Sequence, residues 1–250
     1  MALGRQGTAD SESRFAKLPP ARLEGVMPPI AARDRVDKFE TELSLVAGCP
    51  HRAESVQGLI ETLLRILSSC EVKSVVLTRN PLLRELHLAE RLRQQGIFVS
   101  EWPECSTPSA RVHSGGDASV EYREACFGAA VGISGVDMVL AETGSLILSS
   151  ETEGSQLASL APPIHVALYR REQVVSDLDD AVEILGPRAA GGRVASDSNA
   201  GEPGPAAGRS LVFVTGTSRT ADIEQTLIRG VHGPRDLHAI LVDFDQKMET

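Results

Sequence analysis

A carboxylate, two hydroxyls and a glycine stand together at Glu142, Thr143, Gly144 and Ser145, between the apolar runs VDMVLA (136–141) and SLILSS (145–150). On one tight turn such a set binds a ligand through side chains and exposed backbone N–H groups together. Gly132 and Gly135 punctuate the approach, and Asp137 lies one residue inside the first run. A solvated hairpin turn has the same composition, because Gly, Thr and Ser favour turns for backbone reasons. The carboxylate beside the glycine is what supports the ligand reading.

A second polar stretch, VTGTSRTADIEQTLIRGVHG, covers 214–233. Its pattern predicts a strand ending at Thr215, a turn at Gly216–Thr217–Ser218 and a helix over 219–230. Free N–H groups at that helix start, the hydroxyls of Thr217, Ser218 and Thr220 and the guanidinium of Arg219 would form a corner for a small anion. The other reading is a well-capped helix, with Ser218 or Thr220 as its N-cap. Both hold together if the capping hydroxyls also meet the ligand. Arg219 is a partner for Glu142 or Asp137 if the two turns meet.

Other chemistries lack their residues. The stretch at 214–219 is neither a Walker loop nor G-x-G-x-x-G, and no G-x-S-x-G or H-E-x-x-H occurs. His165 reads as a core or edge-strand histidine, His232 as a residue at a helix C-terminus, and His238 opens the last strand. Cys49, Cys70, Cys105 and Cys126 form no C-x-x-C pair, so the spacing predicts no metal and no iron–sulfur cluster held by this chain. It also predicts reduced thiols in a cytoplasmic protein, with Cys126 an inert core thiol in the run CFGAAVGI.

The elements that must position these residues follow from periodicity. The 250 residues suit one α/β domain over 35–250, preceded by a flexible, Pro-containing tail at 1–34. In 186–209, Gly, Pro and Ala make up 15 of 24 residues, the composition of a flexible insertion. Val56, Leu59, Ile60, Leu63, Leu64 and Leu67 share one helical face of 52–69. NPLLRELHLAERLRQQG reads as one helix, with Asn80 as N-cap, Pro81 in the first turn and Gly96 as stop. Further helices are predicted over 35–47, 117–131 and 171–185. Strands are predicted at 74–78, 97–100, 163–169, 210–215 and 237–242. Uniformly apolar strands alternating with helices imply a mostly parallel sheet covered on both faces. Three residues are too few for a parallel crossover, so the pair around Glu142 must be a local antiparallel hairpin. Ligands of such sheets sit at the carboxyl ends of the strands.

A net charge of −9 and only nine aromatic residues argue against a nucleic-acid partner. No apolar run approaches the length of a membrane span, and the opening residues carry no signal-peptide core.

VGISGVDMVLAETGSLIL, followed at a distance by FVTGTSRTADIEQTLIRGVHGP, resembles the LUD-domain family, in its lactate utilisation protein C branch. The resemblance covers about residues 36–244. It implies a three-layer α/β/α sandwich like that of ribose-5-phosphate isomerase, glucosamine-6-phosphate deaminase and CoA transferases. It also implies a place in a bacterial system that oxidises L-lactate to pyruvate beside two iron–sulfur partner proteins. Lacking cluster cysteines, this chain matches the cluster-free component. Glu142–Thr143–Gly144 is similar to the Glu-Asn-Gly turn that carries the nucleophilic glutamate of some CoA transferases. Two classes of function stay open: a subunit of a lactate-oxidising assembly, and a stand-alone enzyme on a CoA-transferase-like or isomerase-like scaffold using Glu142.

Overall fold

The computed structural model describes residues 30–70, 73–103, 117–190, 210–221 and 227–244, and only the backbone at 117–118, 186–190, 220–221 and 227–228. Residues Ala31–Thr250 make one compact unit; the other, Met1–Ile30, lies outside the described residues apart from Ile30. In chain order the first elements are α1 (Arg35–Leu45), β1 (Cys49–Ala53), α2 (Val56–Ser68), β2 (Ser74–Leu77), α3 (Pro81–Glu85), α4 (Leu88–Gln94), β3 (Phe98–Glu101), α5 (Asp117–Gly128) and β4 (Val131–Ser134). There follow β5 (Met138–Leu140), β6 (Ser145–Ser149), α6 (Ser150–Glu153), α7 (Leu157–Leu160), β7 (Ile164–Tyr169), β8 (Val174–Val175) and α8 (Leu178–Ala190). The last are β9 (Leu211–Thr215), β10 (Arg219–Ala221), β11 (Leu227–Arg229) and β12 (Asp236–Val242).

Six strands form a parallel sheet in the order β1-β12-β7-β4-β2-β3. The apolar face of α2, capped by Ser55 through a 3.1 Å bond from the Gly58 N–H, packs with α3 and α4 on one side of it, against Val75, Leu77, Ile133, Val166 and Ile240. On the other side Tyr122 and Cys126 of α5 and Ala158 of α7 meet Val76. The fold is therefore a mixed α/β sandwich with helices on both faces of a parallel sheet. From β2 the chain passes outward to β3, then returns across β2 to β4 and onward to β7 and β12. Adjacent connections run in opposite directions at β2 and β4, which makes the gap between their carboxyl ends the topological switch point.

The hairpin β5–β6 is antiparallel, as its three-residue turn requires, with Met138 opposite Ile147. It does not join the parallel sheet. It forms a second sheet in the order β8-β5-β6-β9, covered by Ala181 and Leu185 of α8. Four other expectations are corrected. Residues 49–53, a strand edge to the parallel sheet, precede α2, so the second helix starts later than position 52. The helix expected over 81–95 is broken in two at His87, whose φ is 47°. The helix expected over 171–185 begins only at Leu178, because Val174–Val175 extend to pair with Val139–Leu140. Residues 219–230 hold an antiparallel strand pair, Arg219 opposite Arg229 and Thr220 opposite Ile228, in place of a helix. The β-branched pair Thr220 and Ile228 suits a pleated ribbon. α8 runs through Ala190, so the expected excursion at 186–209 starts inside a helix; 191–209, Cys105 and 1–29 lie outside the described residues.

Candidate functional site

Strand pairing brings the two polar stretches together. β6 and β9 run antiparallel with Ser145 opposite Thr215, so the turn before β6 adjoins the turn after β9. A chain of hydroxyls joins them: Thr143 Oγ1 lies 2.7 Å from Ser145 Oγ, which lies 2.6 Å from Thr215 Oγ1. Both turns close on a glycine in the left-handed region, Gly144 at φ 66° and Gly216 at φ 79°. A Cβ at Gly144 would stand 2.3 Å from the Leu43 backbone nitrogen, and one at Gly216 would stand 2.3 Å from the Val46 carbonyl oxygen. The C-terminal end of α1 thus seats on both turns, and only glycine permits the approach. The Glu142 N–H donates to the Ser176 carbonyl at 2.9 Å, which fixes the backbone of the half-buried glutamate. Among the described residues its carboxylate has no hydrogen-bond or ion-pair partner.

Arg219 is placed differently from expectation. It opens β10, so among the described residues no helix N-terminus stands at Arg219, and that half of the expected anion corner is replaced by a strand. Its Nε donates to Thr217 Oγ1 at 3.4 Å. The Ser218 N–H donates to the Pro234 carbonyl, and Ser218 Oγ accepts from the His232 N–H at 3.3 Å. His232 therefore follows a strand, not a helix. The side chain of Thr220 lies outside the description. Asp137 does not meet Arg219. Its Oδ2 accepts from the Ser149 N–H at 2.6 Å and from Thr152 Oγ1 at 3.1 Å.

A polar cluster that the sequence reading missed occupies the switch point. Glu153, fully buried, accepts from Thr78 Oγ1 at 2.6 Å, from the Gly135 N–H and Thr152 Oγ1 at 3.2 Å each, and from Asn80 Nδ2. Asn80 also caps α3, its Oδ1 accepting from the Leu82 N–H at 2.9 Å. A Cβ at Gly135 would fall 2.2 Å from the Asn80 amide, so glycine there admits the clasp. Burial pushes the Glu153 carboxyl up from its ordinary range, and the donors from Thr78 and Asn80 pull the other way. The clasp ties the loop after β2 to the loop after β4. Glu153 sits in a run of small polar residues without periodicity, so only the switch-point rule pointed to its neighbourhood.

The histidines are structural in placement. His165 is fully buried, its Nε2 2.8 Å from Ser134 Oγ, and burial lowers its pKa to about 3. His51 Nε2 lies 2.9 Å from His238 Nδ1 with the rings stacked, and burial, followed by the charge of His51, lowers His238 to about 4. Burial pushes the Cys126 thiol up to about 11. Among the described residues no group of three His, Cys, Asp or Glu is placed to hold a metal, and no helix is long and apolar enough to cross a membrane.

The LUD domain family model matches residues 36–242. The chain belongs to the LUD domain family. Lactate utilization protein C 1 of Bacillus mycoides is 29% identical over 187 residues, covering 75% of this chain and 70% of that protein. Lactate utilization protein C of Oceanobacillus iheyensis is 36% identical over 113 residues, covering 45% of this chain and 43% of that protein. The crystal structure of a DUF162 family protein from Deinococcus radiodurans matches with a TM-score of 0.54 at 18% identity, over 86% of this chain and 99% of that one, a likeness of fold. Both polar stretches fall inside this LUD domain, and the β6–β9 pairing is what joins them.

Proposed function

We propose that this LUD-domain chain serves L-lactate utilisation, as the cluster-free subunit of an assembly that oxidises L-lactate to pyruvate with iron–sulfur proteins. The alignment to lactate utilization protein C 1 across 75% of the chain carries this reading. The need for partners follows from the chemistry. Oxidation of a 2-hydroxy acid to a 2-oxo acid releases two electrons, and the cysteines of this chain are not spaced to ligate a cluster that would take them. The ligand surface in this proposal is the joined pair of turns, Thr143, Gly144 and Ser145 with Gly216, Thr217, Ser218, Arg219 and Thr220, taking a small carboxylate.

A second reading makes the chain an enzyme in its own right, with Glu142 as base or nucleophile. The carboxylate's lack of a partner among the described residues, on a backbone fixed by Ser176, favours it.

Tagged protein isolated from cells grown on L-lactate tests the two. The subunit reading expects iron–sulfur proteins in stoichiometric amount and no turnover by the isolated chain. Absence of such partners together with turnover by the chain alone establishes the enzyme reading and overturns the first.

A further inference from the structure

Helix α5 has two unlike faces. Tyr122 and Cys126 are buried against Val76 of the parallel sheet, and the Tyr122 hydroxyl donates to the Leu77 carbonyl at 2.9 Å. Those contacts fix which face turns outward. At the helical period Val120, Arg123, Glu124 and Phe127 fall on the opposite side, and all four are exposed. Phe127 keeps 69% of its surface open, and Phe98 keeps 72%. Phe98 opens the edge strand β3 as the register partner of Ser74. Ser74 Oγ in turn accepts from the Ala130 N–H at 3.2 Å, just past α5, so Phe98 flanks the end of the helix that carries Phe127. A single exposed apolar side chain is ordinary, but here two of the chain's six phenylalanines are exposed around one end of one helix.

The outward face is complementary to itself. Let two α5 helices cross antiparallel about a two-fold axis centred between Arg123 and Glu124. Val120 of each copy then meets Phe127 of the other, and Arg123 of each meets Glu124 of the other. A parallel crossing would instead set Arg123 on Arg123 and Glu124 on Glu124. Among the described residues the side chains of Arg123 and Glu124 have no ion-pair or hydrogen-bond partner within the chain, so both charges are available to a second copy. Exposed ion pairs add little affinity, so the charges select the orientation and the apolar side chains supply the contact. Two phenylalanines and a valine cover less than the roughly 800 Å² per partner of a standard stable interface, which makes the association weak.

We propose that this face joins two copies of the chain, α5 against α5 in antiparallel register about a two-fold axis. The inference stands independently of a role in lactate utilisation.

Sedimentation equilibrium of the full chain tests it, with circular dichroism to confirm that each variant folds. The expected result is a monomer–dimer equilibrium with a Kd on the order of 10–100 µM. Phe127→Ser, an exposed change that spares the core, is expected to raise that Kd about tenfold or more. Arg123→Glu sets carboxylate against carboxylate and is expected to raise it about threefold or more. Combining Arg123→Glu with Glu124→Arg exchanges both charges and is expected to bring the Kd back to within about twofold of the parent. A chain that stays monomeric up to about 1 mM would overturn the proposal and leave the face to a different protein. A dimer that Phe127→Ser does not weaken, or a double variant that associates no better than Arg123→Glu alone, would also overturn it.

Discussion

Ser145 and Thr215 face each other across β6 and β9 with their hydroxyl oxygens 2.6 Å apart, 70 positions apart in sequence. That one register pair makes a single surface of two turns, and Thr143 extends the hydroxyl chain toward Glu142. The end of α1 closes over it because Gly144 and Gly216 leave room.

Gly144→Ala tests that closure. The substitution combines a left-handed φ with a Cβ inside the Leu43 backbone, whereas Gly96, at φ 75°, has nothing within 4 Å of its Cβ position. Gly96→Ala is expected to cost about 1 kcal/mol and Gly144→Ala at least about twice that, with Tm falling about 2–4 °C per kcal/mol for a chain of this size. Equal Tm losses in the two variants would show that α1 does not seat on Gly144.

Removing the Glu153 clasp is expected to be more damaging. Glu153→Ala leaves the Asn80 amide, the Thr78 hydroxyl and the Gly135 N–H buried without their acceptor. The expected loss is about 3 kcal/mol or more, while Glu153→Gln, which keeps one acceptor oxygen, loses less. Urea unfolding of both variants checks the order, and a Glu153→Ala chain as stable as the parent contradicts it.

Acid should destabilise the chain through His165, which is fully buried, and His238, which is half-buried. The folded pKa values of His165 and His238, about 3 and about 4, lie below the ordinary value of 6.5. Below pH 6.5 the unfolded chain binds these protons and the folded chain does not, so stability is full above that pH and is lost as pH falls toward 4. Each unit of difference is worth about 1.4 kcal/mol. Urea midpoints at pH 7.5, 6 and 5 should fall in that order, with a shallower fall in His238→Gln. A midpoint that is flat across this range, or an unchanged slope in the variant, contradicts the assignment.

These effects divide into what local pattern encodes and what tertiary packing decides. The six apolar positions of α2 share one face, and the structure buries five of them, Leu64 being only partly buried. Pro81 and the Asn80 cap mark the start of α3 just as clearly. The break at His87 carries no such mark, because Leu86 and Leu88 both reach the core only if the helix bends. Val174–Val175 and residues 219–221 have too few residues for their period to be read, and a neighbouring strand decides them. Glu142, Thr143, Gly144 and Ser145 were legible as a turn because apolar runs flank them. The clasp of Thr78, Asn80, Gly135 and Glu153 was not, since its members come from the loops after β2 and β4 and from the end of α6 and meet only at the switch point.

Glu142→Gln separates the roles open to that residue, since it keeps size and removes charge. A catalytic Glu142 predicts a chain with the parent's Tm and a loss of lactate-dependent function by orders of magnitude. A structural Glu142 predicts a lower Tm with a proportionate loss. A variant as stable and as active as the parent removes Glu142 from the site.

The central claim is the role in L-lactate utilisation, and growth on L-lactate as sole carbon source measures it most directly. Deleting the gene for this chain is expected to abolish or strongly slow that growth while leaving growth on pyruvate intact. A plasmid-borne copy should restore it. Undiminished growth of the deletion strain on L-lactate, with no second copy of a LUD-domain gene to replace it, would contradict the account.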